Sequence, residues 1–133
     1  MIYIEPDEDG LSGFVQNYPD ATPVVMLNLL RFRAAADYTE GSAEPCSGAE
    51  AYTRYGLAVE PLVAASGGSV LWQGSQASML IGPQDKDWHL VVLVKYPSAQ
   101  AFVDMVGSDD YRAIVFHRTA ALEDSRLIAL TEL

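Results

Sequence analysis

Cysteine, histidine and positive charge are all scarce in this chain, and each scarcity removes a class of function. Cys46 is the one cysteine among 133 residues, so no intramolecular disulfide can form and a thiolate-rich metal site cannot be built from one copy. His89 and His117, the two histidines, share no HxH or HxxxH spacing and so make no metal-binding motif. Eight Lys and Arg stand against eighteen Asp and Glu, a formal charge of −10, which disfavours nucleic acid and anionic membranes as partners. The longest apolar runs, VVMLNLL and LVVLV, fall far short of the roughly 20 residues of a membrane span. Phosphate-binding glycine loops, dinucleotide fingerprints, GxSxG elbows and acidic pairs at metal spacing are all missing, so no cofactor or metal is expected. The opening MIYIEPDEDG is acidic where a secretory signal is basic and then apolar, and the expected location is cytoplasmic.

What is present is a globular composition, 50% hydrophobic and 20% charged, at a length suited to one domain. Residues 1–22 read as an N-terminal extension with a short helix over Asp7–Tyr18, where Leu11, Phe14, Val15 and Tyr18 recur at helical spacing. The run Pro19-Asp20-Ala21-Thr22-Pro23 ends that helix. Residues 23–133 form the domain proper. Val24–Arg33 is an apolar run rich in β-branched residues and predicts a central strand buried on both faces. A connection over 34–47 leads to Ser47 and Glu50, whose spacing is that of a capping box. From there Ala51, Tyr52, Tyr55, Val59, Leu62 and Val63 predict a helix, kinked or ended near Pro61 and stopped at Gly67-Gly68.

Val70–Gln76 with Met79–Gly82 reads as a strand bulged around Gly74, and Trp88–Tyr96 as its hairpin partner. Ser98 and Ser108 each cap a short helix, and Arg126–Leu133 forms a final strand. The order strand, helix, strand, strand, helix, strand is that of a ferredoxin-like α+β sandwich, βαββαβ, with both helices on one face of an antiparallel sheet. Val24–Leu30 and Leu90–Val94 are apolar at odd and even positions alike, so the second sheet face also needs cover. A second copy closing the two sheets into an α/β barrel supplies it, which predicts a homodimer.

PVVMLNLLRFR, AYTRYG, GGSVLWQG and YPSAQAFVDMVGSDDYRAIVFHRTAAL together resemble the domain of unknown function 1330 family of the dimeric α/β-barrel superfamily, from about Pro23 to the C-terminus. The resemblance implies a ferredoxin-like protomer that dimerises through its sheet. It implies no reaction. Superfamily relatives include cofactor-free monooxygenases, isomerases, decarboxylases and haem-handling enzymes, many with a ligand between sheet and helices.

The candidate catalytic residues are Arg118, His117 and Asn28. Arg118 shares a helix stripe with Tyr111, Ile114 and Val115 and needs an acceptor there: the carboxylate or enolate oxygen of a small ligand, or Glu123 or Asp124 in a structural pair. His117, about 100° round the helix, reads as a general base or as a structural histidine. Asn28 interrupts the most apolar strand and serves either a pocket or the register of the dimer. Tyr52, Tyr55, Trp72 and Tyr111 line a ligand cavity or belong to plain core. Cys46 reads as an incidental loop thiol. These expectations define a cavity for a small, partly apolar organic acid, with cofactor-free proton transfer, isomerisation or oxygenation as the enzyme reading. The alternative is a non-catalytic binding or dimerisation module.

Overall fold

The computed structural model describes residues 1–18, 22–39 and 43–133. Pro19, Asp20 and Ala21 of the expected helix stop, and Gly41 of the connection after the first strand, lie outside the described residues. The elements are α1 (Glu8–Asn17), β1 (Val24–Phe32), α2 (Gly48–Ala65), β2 (Ser69–Gly74), β3 (Leu90–Tyr96), α3 (Ala99–Val106), α4 (Asp109–Arg112), α5 (Val115–Ala121) and β4 (Leu122–Leu130). The strands form one antiparallel sheet in the order β2-β3-β1-β4. This is the ferredoxin-like arrangement, with β1 and β3 central.

Local chemistry starts four of the five helices. Asp7, Ser47, Ser98 and Ser108 each accept a hydrogen bond from the backbone amide three residues on, satisfying one orphan donor of the first turn. Only the serine half of the expected capping box forms at α2, where Ser47 Oγ accepts from the Glu50 amide at 3.0 Å. Pro61 does not end α2, which continues to Ala65. It forgoes one intrahelical bond while the flanking bonds hold the helix together. Gly67, at φ +86°, then turns the chain into β2 in a conformation that glycine adopts without steric cost.

Three strand boundaries differ from expectation. β2 stops at Gly74 and Met79–Gly82 is not a strand, so Leu80 and Ile81 lie on an exposed connection. β3 begins at Leu90 rather than Trp88, and β4 begins at Leu122, four residues before Arg126. The irregularity in β2 falls between Val70 and Trp72, not at Gly74. It puts Val70 opposite Val94 and Trp72 opposite Leu93, so those two β2 side chains leave the sheet on opposite faces.

The sheet's two faces have different fates. Val24, Met26 and Leu30 of β1 and Val92, Val94 and Tyr96 of β3 are buried towards the helices. They form the core with Ala51, Phe102, Met105, Ala121 and Leu122. Val25, Leu27 and Leu29, paired with Lys95, Leu93 and Val91, are half-buried on the other face, where Ile128 and Leu130 of β4 are exposed. One protomer leaves that apolar face uncovered.

Candidate functional site

A cavity of about 1250 Å³ lies between the inner sheet face and the helices, larger than the roughly 300–1,000 Å³ usual for small-molecule sites. Its floor is Met26 and Asn28 of β1, Val92 and Val94 of β3, Leu127 and Ala129 of β4 and Val70 and Gln73 of β2. Its roof is Tyr52, Tyr55, Val59 and Val63 of α2 with Phe102 and Met105 of α3, Tyr111 of α4 and Arg118 of α5. The N-terminal extension forms one wall through Tyr3, Ile4, Leu11 and Phe14.

Arg118 is buried, at 9% exposure. It pairs with neither of its expected structural partners: Glu123 meets Arg31, and Asp124 meets Lys86 and Arg126. Its recorded hydrogen bond runs from Nη1 to the Ile4 carbonyl at 2.5 Å. Among the described residues no carboxylate forms a salt bridge with it. A guanidinium has five donors in a fixed fork; the Ile4 carbonyl and the Tyr52 hydroxyl engage part of it, and the rest is available.

The roof phenols surround this cation. Burial pushes the Tyr52 phenol up to about 12, against the opposing pull of Arg118. Tyr55 Oη and Tyr111 Oη lie 2.9 Å apart, and burial, reinforced by the neighbouring Tyr111, raises the Tyr55 phenol further. Tyr96 on the floor is raised by burial as well. The raised phenols are neutral near pH 7 and can donate or accept a hydrogen bond without adding charge. Asn28 reaches the cavity from the inner face of β1. Its Nδ2 makes long bonds to the Met26 and Val92 carbonyls at 3.3 and 3.4 Å, so the group it has left for a ligand is the acceptor Oδ1.

The cavity thus gathers Arg118, Asn28, Tyr52, Tyr55 and Tyr111, and does not gather His117 or Trp72. His117 lies on another side of α5, where its Nδ1 meets Tyr38 Oη at 2.6 Å and its ring stacks on Phe116. Burial, with Arg54 nearby, lowers its pKa. The offset of about 100° from Arg118 turns the two to different faces of one helix. Trp72 is 54% exposed, turned to the outer face by the β2 irregularity, with its ring across the space a Gly74 side chain would occupy. His89 Nδ1 accepts the Phe32 amide at 3.0 Å, a structural contact at the end of β1. Cys46 is a partly exposed free thiol away from the cavity wall.

Sequence reasoning left the N-terminal extension out of the site, and the fold builds it in. Asp124, 1% exposed, accepts the Tyr3 amide at 2.8 Å, and Ser125 Oγ donates to the Tyr3 carbonyl at 2.6 Å. Burial acts to raise the Asp124 carboxyl, but hydrogen bonds from Lys86, the Tyr3 amide, Arg126 and the Ser125 amide outweigh it and hold the group well below the usual range. The Arg126 guanidinium lies 4.7 Å from the centre of the Tyr3 ring. Only the helical spacing of Leu11 and Phe14 hinted at this wall; nothing in the sequence marks Ile4, and the sequence presents Asp124 only as an ion-pair partner of Arg118.

The sheet order and this cavity define a ferredoxin-like α+β protein with a ligand-sized space between sheet and helices. The chain belongs to the domain of unknown function family DUF1330, whose model matches residues 45–132. It is similar to a protein of unknown function from Rhodopseudomonas palustris, at 44% identity and TM-score 0.92, over 100% of this chain and 98% of that one. A dabb family protein with a ferredoxin-like fold from Mesorhizobium loti matches at 16% identity and TM-score 0.55, over 84% of this chain and 98% of the other. A dimeric ferredoxin-like protein of unknown function from Bacteroides fragilis matches at 11% identity and TM-score 0.51, over 83% and 96%. These two distant likenesses concern the fold alone. No curated protein matches the chain. No helix among the described residues is long and apolar enough to cross a membrane.

Proposed function

We propose that this protein is a homodimeric small-molecule-binding protein whose cavity takes a partly apolar organic anion held by Arg118. The observation that carries the reading is a buried guanidinium on a cavity wall that forms no salt bridge with a carboxylate among the described residues. Burying a charge is costly unless it is paired, and a ligand carboxylate is the partner that matches the fork. Homodimerisation through the outer sheet face is supported by the half-buried Leu27, Leu29, Val91 and Leu93 and by the dimeric state named for the Bacteroides fragilis neighbour.

Catalysis is the narrower reading. Arg118 suits a developing oxyanion, and the Tyr55 and Tyr111 hydroxyls can hand over or accept a hydrogen bond. Within the cavity wall there is no histidine, lysine or cysteine, so the proton shuttle expected of His117 has no part in it. A thermal-shift screen with aromatic and keto acids tests the binding reading, since a ligand of the native state raises apparent stability by mass action. Acids that stabilise the wild type and not Arg118→Met support it; acids that stabilise both equally, or neither, sink it.

A further inference from the structure

We propose that the ligand is an elongated amphipathic monocarboxylate, a medium- or long-chain alkyl or arylalkyl acid. Its head sits on Arg118 and its apolar body crosses beneath the helices towards β2. The proposal rests on the preceding reading that the cavity binds an organic anion, and adds shape and charge count to it.

Shape comes from the floor. The lining runs from Leu127 on β4, through Asn28 on β1 and Val92 on β3, to Val70 on β2. Neighbouring strands are about 4.8 Å apart, so three such steps make a trough roughly 14 Å long. A compact keto acid would leave most of a 1250 Å³ space without contacts.

The charge count comes from the distribution of polar groups. Both cations on the wall, Arg118 and Arg126, stand at the end next to β4 and the N-terminal segment, and Arg126 is already paired with Asp124 at 2.7 Å. Arg118 Nη1 holds Ile4 and the guanidinium also acts on the Tyr52 phenol through a hydrogen bond, which leaves the remaining donors of the fork for one carboxylate. The end at β2 is framed by Val59 and Val63 of α2 and by Val70 and Val94, with neutral Gln73 and Ser69 beyond. Nothing there can neutralise a second charge. Glu5, Asp7 and Glu60, the carboxylates of the lining, belong to exposed or half-exposed residues and repel a dianion. A phosphate monoester, with more than one charge near pH 7, fits this arrangement less well than a carboxylate.

Isothermal titration of the full chain with straight-chain alkanoates from four to sixteen carbons, below their micellar concentrations, tests the proposal. Matched alcohols, alkyl phosphates and α,ω-diacids are the controls. Affinity is expected to climb by up to about fourfold per methylene and then level off as the trough fills. Alcohols, phosphates and diacids should each bind at least tenfold more weakly than the acid of equal length. Arg118→Met should erase the gap between acid and alcohol while keeping the climb. Val63→Phe, which fills the far end, should move the plateau to shorter chains and does not depend on the arginine variant folding. If small keto acids bind and alkanoates show no climb with length, the elongated class is wrong while the anion cavity stands. If acid and alcohol bind the wild type alike, or neither class of acid binds at all, both readings fall. Phosphates or diacids that match the monoacid overturn the single-charge assignment alone.

Discussion

Gly48→Ala tests whether the first turn of α2 is seated as tightly as the structure shows, and Tyr52 and Tyr55 depend on that seat. A Cβ at Gly48 would lie 2.2 Å from the Arg33 carbonyl oxygen, 2.7 Å from the Arg33 nitrogen and 2.7 Å from the Ala121 carbonyl oxygen. All three are backbone atoms, from the end of β1 and the end of α5, so no rotamer change relieves the clash. The Gly48 amide also donates to the Arg33 carbonyl at 3.0 Å, which ties it to the atoms it would strike. Overpacking of this kind costs about 3 kcal/mol, the upper part of its usual range, and alanine's better helix propensity returns less than about 1 kcal/mol. The net loss of about 2–3 kcal/mol should lower Tm by roughly 8 °C in a domain of this size. Gly56→Ala, eight residues along the same helix, is the internal control: its Cβ would meet nothing within 4 Å. It should stabilise by about 0.5–1 kcal/mol, from propensity and a less free unfolded chain. Urea unfolding of both variants at one fixed protomer concentration reads the difference. Effects of the same sign, or a Gly48→Ala loss under about 0.5 kcal/mol, would refute the close approach of α2 to β1 and α5.

Asp124→Asn should destabilise the protein by about 2–4 kcal/mol, since it breaks a buried carboxylate that accepts several hydrogen bonds, and hydrogen exchange should show the loss first at the Tyr3 amide. Because the folded Asp124 pKa is held below its unfolded value of about 3.9, its contribution is full above that pH and is lost as pH falls further towards the folded value. Stability of the wild type should therefore drop below about pH 4, and Asp124→Asn should flatten that limb. If the protein dimerises through its outer sheet face as proposed, Leu27→Glu should give a monomer in sedimentation velocity while leaving the far-ultraviolet circular dichroism intact; a wild type that sediments as a monomer, or a variant with an unchanged sedimentation coefficient, would refute that interface. His117 should titrate below 6.5 by NMR, and His117→Gln should leave ligand affinity within about twofold.

The fold was legible because its signals are local or periodic. The run at Val24–Phe32, the serine caps at Ser47, Ser98 and Ser108 and the glycine stop at Gly67 each correspond to an element boundary. Arg118 and Tyr111 both line the cavity, but not through the single helical stripe the spacing suggested, since Tyr111 is on α4 and Arg118 on α5 with a break at Ala113 and Ile114. Trp72 was misplaced because one bulged residue reverses every side chain after it, and the sequence hinted at a bulge only near Gly74. His117 was a candidate because imidazole is the side chain that titrates nearest neutrality, but its offset from Arg118 on the helix turns it away from the cavity. The links from Ile4 to Arg118 and from Tyr3 to Asp124 were invisible because each joins residues more than a hundred positions apart, and the sequence presents Asp124 only as a partner for Arg118.

That separation shapes how the protein reaches its working form. The bonds that hold the cavity's N-terminal wall join residues 114, 121 and 122 positions apart, the kind of non-local closure that makes folding slow. The Tyr3 contacts need Asp124 and Ser125, so that part of the wall cannot form before β4 is in place. Few bonds hold it, so it is also the part that local fluctuations release first. Ligand capture would then report completion of folding, and the same wall that finishes the fold would be the door through which a long acid enters and leaves.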